Sequence, residues 1–170
     1  MIIVYGDFNC PYSALASRRV DELLRAGSVE IEWRAVEHEP EIPAEGRPVD
    51  REKIRAEFDD IAGLLRPGEE FTPVVPDVYP NTHGASQVFS TWEDEAAHFY
   101  RRRAFDAVWI DGRNISDVSV LGEAGVGQRE PRADAWQRGW EDIGQGIVPL
   151  LVVGGEIVRG KDALGRLIER

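Results

Sequence analysis

Cysteine is nearly absent from this chain of 170 residues, which has only Cys10. One cysteine can form neither an internal disulfide nor a cysteine-rich structural zinc site, so the fold must rely on its hydrophobic core. Histidine is also scarce, and His38, His83 and His98 are scattered along the chain. The sequence therefore predicts no metal site. Its length suits one domain with room for an inserted lobe.

Long apolar runs and a positive charge balance are missing too. No stretch approaches the roughly 20 apolar residues that a membrane span requires, and the start of the chain lacks the basic and apolar regions of a secretory signal. Acidic residues outnumber basic ones by 31 to 20, which gives a net charge of −11. Such a surface repels phosphate backbones and anionic lipids. We therefore expect a cytoplasmic protein that binds neither nucleic acid nor membranes.

The apolar patterns predict a mixed α/β fold. Their order is strand, helix, strand, a long helical block, two hairpin strands and a final helix. Pro11 opens the first helix and Gly27 ends it. Asp162 is the predicted cap of the last helix. Pro131 is predicted to lie in the first turn of the helix that carries Trp136 and Trp140. The basic run at 101–103 lies on a predicted helix and is interpreted as a solvated face.

The run Cys10-Pro11-Tyr12-Ser13 lies between the first strand and the first helix. Pro11 suits the first helical position, so Cys10 is the predicted N-cap, with its sulfur facing unpaired N–H groups and the positive end of the helix dipole. Cysteines so placed have pKa values lowered to ~3.5–7.5, and we predict an accessible thiolate. The alternative is a small buried hydrophobic residue. An ionised Asp7 nearby would oppose thiolate formation.

A second motif, Val148-Pro149, heads the first hairpin strand. Together with the run at 7–13, it resembles the DsbA-like branch of the thioredoxin superfamily, which also includes kappa-class glutathione transferases and hydroxychromene-carboxylate isomerases. The resemblance implies a thioredoxin-like α/β domain at 1–49 and 143–170, with an inserted α-helical lobe at 50–142. It also implies a cis peptide bond before Pro149 that lies against the Cys10 sulfur.

The resemblance implies the following site residues: Cys10 and Ser13 as catalytic, and Pro11, Tyr12, Asn81, Thr82, Val148, Pro149 and Asp162 as contacts to the substrate or thiol. Asn81-Thr82 resembles the start of a lobe helix that faces the active site in isomerase-like members. His83 follows it and is interpreted as a surface-loop residue, with a place in the cleft as the alternative. Gly160-Lys161-Asp162 resembles the turn that holds the γ-glutamyl end of glutathione. No tightly bound cofactor is implied, but glutathione or another small thiol is a candidate co-substrate, and a homodimer is allowed.

Two departures from the family pattern keep several functions open. Dithiol oxidoreductases carry Cys-x-x-Cys, whereas the second position here is Ser13. Kappa transferases and the isomerases commonly carry serine at the first position, which here is Cys10, and a smaller polar residue at the position of Lys161. Without a second thiol, a mixed disulfide on Cys10 must be resolved by an external thiol. The leading hypothesis is a single-cysteine thiol–disulfide oxidoreductase acting on a small thiol or disulfide. The alternatives are a glutathione-dependent transferase or isomerase, and a non-catalytic binding module.

Overall fold

The computed structural model describes residues 1–27, 29–122 and 127–168. Its elements are β1 (Ile2–Gly6), α1 (Pro11–Ala26), β2 (Ile31–Ala35), α2 (Arg51–Ala62), α3 (His83–Phe89), α4 (Asp94–Trp109), a 3₁₀ helix (Val118–Leu121), α5 (Ala133–Gly144), β3 (Leu150–Val153), β4 (Glu156–Arg159) and α6 (Gly160–Ile168). The predicted α/β fold is confirmed. Within these described ranges, no helix combines the length and the apolar character needed to cross a membrane.

Four strands form one sheet in the order β2-β1-β3-β4. Strand β1 runs parallel to β2 and antiparallel to β3, and β4 is antiparallel to β3. Gly6 at the end of β1 is paired with Ala35 at the end of β2. Because the two strands are parallel and in this register, the segments that follow them leave the sheet at the same edge.

The helical block lies between β2 and β3 in sequence, as predicted, although the boundaries at 50 and 142 remain a prediction. Two helix starts differ from expectation. Helix α6 begins at Gly160, so Asp162 lies inside its first turn and is not its cap. The pairing with β3 continues as far as Gly160, whose N–H donates to the Pro149 carbonyl at 2.7 Å, and the chain enters the helix directly. Helix α5 begins at Ala133 with Arg132 at the N-cap position, so Pro131 lies before the helix and not in its first turn.

Aromatic contacts attach the segment after β1 to the helical layer. The Phe8 ring meets Phe89 and Phe105 edge-on, at centroid distances of 5.9 and 5.1 Å. Trp33 on β2 meets Phe105 in the same way at 5.5 Å. The Trp109 indole N–H donates to the Phe8 carbonyl at 2.8 Å. These contacts hold the chain just before Cys10 between the sheet and the helices α3 and α4.

Arg101 is fully buried, so the interpretation of residues 101–103 as a solvated face is wrong for its first member. Its guanidinium donates to the Ser17 carbonyl at 2.7 Å, to the Ser17 hydroxyl and to the Asp21 carboxylate. Arg102 is half-buried and Arg103 is exposed. Helix α4 packs against α1, and Arg101 faces that contact. A buried charge is tolerated there because it is paired and hydrogen-bonded.

Arg101→Ala should lower the free energy of unfolding by about 3–5 kcal/mol, because it leaves a partly buried carboxylate without its partner. The control is Arg102→Ala on the same helix, whose side chain is 40% exposed and 3.4 Å from Asp21. That change should cost less than about 1 kcal/mol. Urea unfolding followed by circular dichroism measures both. Equal effects of the two changes would show that the buried pair does not hold α4 to α1.

Candidate active site

Cys10 occupies the N-cap of α1, as predicted. Its backbone is extended, with φ −108° and ψ 118°, and its Sγ accepts a hydrogen bond from the Ser13 N–H at 3.5 Å. Pro11 takes the first helical position, where its missing N–H costs nothing. The Cys10 carbonyl accepts the first helical hydrogen bond, from Ala14, at 3.0 Å. The turn from strand to helix therefore places the sulfur at the positive end of α1.

The peptide bond between Val148 and Pro149 is cis, as expected. The Cys10 thiol donates to the Val148 carbonyl, with 3.9 Å between sulfur and oxygen. The loop is held from behind, because the Trp140 indole N–H donates to the Ile147 carbonyl at 3.0 Å. Residues 138 positions apart in sequence thus meet at the sulfur.

Burial contradicts the prediction of an accessible thiolate. Cys10 is only 5% exposed. Removal from water raises the pKa of its thiol to about 12, and the nearby charge of Asp7 acts in the same direction, while hydrogen bonds from Ser13 act against both. The prediction located the sulfur correctly but gave the wrong sign for the shift, because desolvation disfavours the charged form. Burial and the charge of Asp7 therefore favour the neutral form of the Cys10 thiol.

Ser13 and Asp7 close the turn around Cys10. The Ser13 side chain is buried, and its hydroxyl accepts a hydrogen bond from the Asp7 backbone N–H at 3.3 Å. The Asp7 carbonyl accepts from the Cys10 N–H at 3.1 Å. The Ser13 backbone N–H therefore contacts the sulfur, and the Ser13 side chain both lowers the pKa of Cys10 and holds the preceding strand end.

The Asp7 carboxylate is completely buried and accepts four hydrogen bonds. Its Oδ1 accepts from the Asn9 N–H at 3.4 Å and from the Thr82 hydroxyl at 2.7 Å. Its Oδ2 accepts from the His38 backbone N–H at 2.9 Å and lies 2.7 Å from His38 Nδ1. One carboxylate thus joins the Cys10 turn, the connector between β2 and α2 (residues 36–50) and the start of α3.

His38 is a site residue that sequence reasoning missed. Burial lowers the pKa of its imidazole, but the hydrogen bond to Asp7 and the charges of Asp7 and Glu39 outweigh that effect, so the pKa lies above its ordinary value. Its Nε2 lies 3.4 Å from Glu39 Oε1, and the side chain is 18% exposed. A parallel pairing of β1 with β2 would have indicated that Asp7 and His38 lie close together, because the two residues follow the adjacent ends of these strands.

The two lobe residues expected at the site lie in different places. Thr82 is buried and reaches Asp7, as described above. The Asn81 amide instead donates to the Ile42 carbonyl at 2.7 Å and accepts from the His83 N–H at 2.9 Å. Asn81 therefore holds the connector and the start of α3. His83 is exposed, and its Nδ1 lies 2.8 Å from a Glu37 carboxylate oxygen, which agrees with a surface position.

A bridge centred on Asp60 joins three elements beside Cys10. The Tyr12 hydroxyl in the first turn of α1 donates to Asp60 on α2 at 2.6 Å. Lys161 in the first turn of α6 donates to the same carboxylate, at 2.8 and 2.7 Å from its two oxygens. The lysine ammonium is the largest cause of the lowered pKa of Asp60. Asp162, expected to contact the thiol, lies on the exposed side of this turn. We call Tyr12, Asp60 and Lys161 the Asp60 bridge.

The site offers one thiol, Cys10, which is surrounded by hydrogen-bonding groups. Neutral Cys10 can donate a hydrogen bond, and its thiolate can act as a nucleophile once it forms. Across residues 1–27, 29–122 and 127–168, no three His, Cys, Asp or Glu side chains are grouped so that they could hold a metal ion.

A family model of the DSBA-like thioredoxin domain matches residues 1–132. The uncharacterised protein YwbO of Bacillus subtilis (strain 168) is 24% identical over 191 residues, which cover 98% of this chain and 94% of the relative. These matches support the resemblance drawn from the Cys10 and Pro149 motifs.

Solved structures share the fold over nearly the whole chain. A 2-hydroxychromene-2-carboxylate isomerase superposes with a TM-score of 0.74 at 22% identity, covering 99% of this chain and 92% of the other. A Streptomyces coelicolor protein assigned as a DsbA oxidoreductase superposes with a TM-score of 0.59 at 15% identity, covering 99% and 86%. At these identities the likeness establishes the fold, and it agrees with the thioredoxin-like architecture expected from the sequence.

Asp60→Ala should make Cys10 more accessible, because it releases Tyr12 from α2 and α6. We expect the rate of Cys10 alkylation by iodoacetamide to rise about threefold or more, as local opening becomes easier. Asp59→Ala is the control, since Asp59 is the exposed neighbour on the same helix. An unchanged rate in Asp60→Ala would show that the Asp60 bridge does not limit access to the sulfur.

Proposed function

This chain belongs to the DSBA-like thioredoxin-domain family, and on that basis we propose that it is a thiol–disulfide oxidoreductase acting through the single cysteine Cys10. Relatives of this fold include oxidoreductases and isomerases, which supports an enzyme. The observation that carries the proposal is the position of the Cys10 sulfur. It lies between the Ser13 N–H at 3.5 Å and the Val148 carbonyl at 3.9 Å, at the start of a helix.

The reaction needs an external thiol because Ser13 cannot resolve a mixed disulfide. The Cys10 thiolate attacks one sulfur of a small disulfide R–S–S–R′, forming Cys10–S–S–R and releasing R′–S⁻. A second small thiolate, R″–S⁻, then attacks the R sulfur, which releases R–S–S–R″ and regenerates the Cys10 thiolate. The protein ends unchanged, and the electron pair passes from the incoming thiol to the original disulfide. Glutathione is a thiol of the required class.

Burial of the sulfur supports a small substrate. Cys10 is 5% exposed, with the cis Pro149 loop against it and the Asp60 bridge beside it. A folded protein substrate must present its disulfide to a sulfur at the surface, whereas a small disulfide can enter a narrow opening. Because the pKa of Cys10 is raised, opening of the site to water or hydrogen bonds from a ligand would favour the thiolate.

The neutral state of Cys10 favours a second candidate, a glutathione-dependent transferase or isomerase. A neutral thiol donates a hydrogen bond, as this one does to Val148. The same donor could stabilise the thiolate of a bound glutathione, whose own sulfur would then be the reacting atom. Cys10 would act in that case as serine acts at this position in the isomerases that the motif resembles.

Cys10→Ser separates the two functions. If Cys10 is the nucleophile, the wild type incubated with oxidised glutathione should gain one glutathionyl group by intact mass, and Cys10→Ser should gain none and lose thiol–disulfide exchange. If Cys10 is only a donor, Cys10→Ser should keep glutathione-dependent activity, because a hydroxyl also donates, and Cys10→Ala should lose it. Absence of any adduct on well-folded wild type would contradict the leading proposal.

Ser13→Cys should create a redox pair. The Ser13 N–H already reaches the Cys10 sulfur, and one helical turn brings the two positions within the Cα separation of about 4.4–6.8 Å that disulfides require. After oxidation of Ser13→Cys, titration with dithionitrobenzoate should therefore detect neither thiol, and both should be detected again after reduction with dithiothreitol. Ser13→Ala, which adds no thiol, is the control. Two free thiols that persist after oxidation would show that the turn does not bring these positions together.

A further inference from the structure

The carboxylate of Asp7 places a negative charge beside the one group that must become negative to react. Its charge raises the pKa of the Cys10 thiol, in addition to the larger effect of burial. The exchange reaction gives this carboxylate no chemical step. The charge of Asp7 disfavours the Cys10 thiolate, so a positive charge next to Asp7 would favour it. The imidazole Nδ1 of His38 lies 2.7 Å from Asp7 Oδ2.

His38 is the member of this pair that can exchange a proton with solvent. Asp7 is completely buried, and each carboxylate oxygen accepts two hydrogen bonds. The His38 side chain is 18% exposed, and its Nε2 faces Glu39 at 3.4 Å. The imidazole is thus the member of the pair that solvent can reach.

The groups around His38 favour its charged form. Asp7 comes from the turn after β1, and Glu39 from the connector, where it is also paired with Arg47. Glu57 on α2 contributes a weaker attraction and is itself half-buried, near Lys53. Burial of the imidazole is the opposing effect, and the net pKa is raised above its ordinary value. An imidazolium is therefore present across a wider pH range than for a free histidine.

We propose that His38 is a positioning residue for Cys10: its imidazolium cancels the charge of Asp7 and so allows the Cys10 thiolate to form. The proposal rests on Cys10 being the reacting group. Below the raised pKa of His38, Asp7 and His38 together are neutral. As the pH rises through that pKa, the positive charge is lost, the negative charge of Asp7 is uncompensated, and the pKa of Cys10 rises further.

The pH profile of Cys10 alkylation tests this coupling. A lone thiol below its pKa gives a rate that rises tenfold per pH unit. In the wild type the rise should flatten as His38 titrates and then resume. His38→Gln should show one continuous rise and, at pH 6, a rate about tenfold below the wild type, which corresponds to a one-unit rise in the pKa of Cys10. Identical profiles would overturn the proposal.

His83→Gln is the matched control. His83 is also paired through Nδ1 with a carboxylate, at 2.8 Å from Glu37, but it is 59% exposed and makes no contact with Asp7 among the described residues. Its substitution should leave the profile unchanged, and an equal effect of both substitutions would contradict a specific role for His38.

A measurement on the wild type covers the case in which His38→Gln fails to fold. The Cβ chemical shift of Cys10, followed by NMR from pH 5 to 9, should change with the same midpoint as the His38 imidazole, and independence of the two midpoints would refute the coupling.

The outcome is separable from that of the proposed function. If the pH profile flattens but no glutathionyl adduct forms, the oxidoreductase proposal is refuted and the coupling of His38 to Cys10 stands. If an adduct forms but the profile rises without flattening, the coupling is refuted and the oxidoreductase proposal stands.

Discussion

The site is organised by one buried carboxylate. Asp7 accepts hydrogen bonds from the Cys10 turn, from the connector after β2 and from Thr82 at the start of α3. An unpaired carboxylate in the interior costs a large free energy, so these three segments are held where they can donate hydrogen bonds to Asp7. These hydrogen bonds therefore join the turn that carries Cys10 to the segment after β2 and to the start of α3.

The same arrangement decides the state of Cys10. A helix N-terminus stabilises a nearby negative charge by about 0.3–1 kcal/mol, and by up to ~2 kcal/mol in partly buried geometries. Full burial can shift a pKa by up to about 3–5 pH units, each worth about 1.4 kcal/mol. Desolvation therefore exceeds the helix dipole at a sulfur that is 5% exposed, and Asp7 adds to it. A position that activates a cysteine at a protein surface leaves it neutral when the surface closes over it.

The features that could be predicted from the sequence are those that depend on short, local segments. Pro11 after a strand indicated the N-cap, the strand and helix order indicated the fold, and the family resemblance implied the cis Pro149 loop. The missed features depend on register and on long-range packing. Asp7 and His38 are 31 positions apart and meet only because β1 and β2 are parallel. Arg101 was misread because a basic run on a helix does not reveal which residue faces the neighbouring helix.

A single thiol in a closed site changes what limits turnover under the proposed mechanism. In a dithiol enzyme the second cysteine is already inside the site, so the mixed disulfide is resolved without another opening. Here Ser13 occupies that place and contacts the sulfur only as a hydrogen-bond donor. Both half-reactions then require a small molecule to enter, and the opening that admits the disulfide must recur for the resolving thiol. If the contacts of Asp60 with Tyr12 and Lys161 limit access to the sulfur, both steps should depend on them.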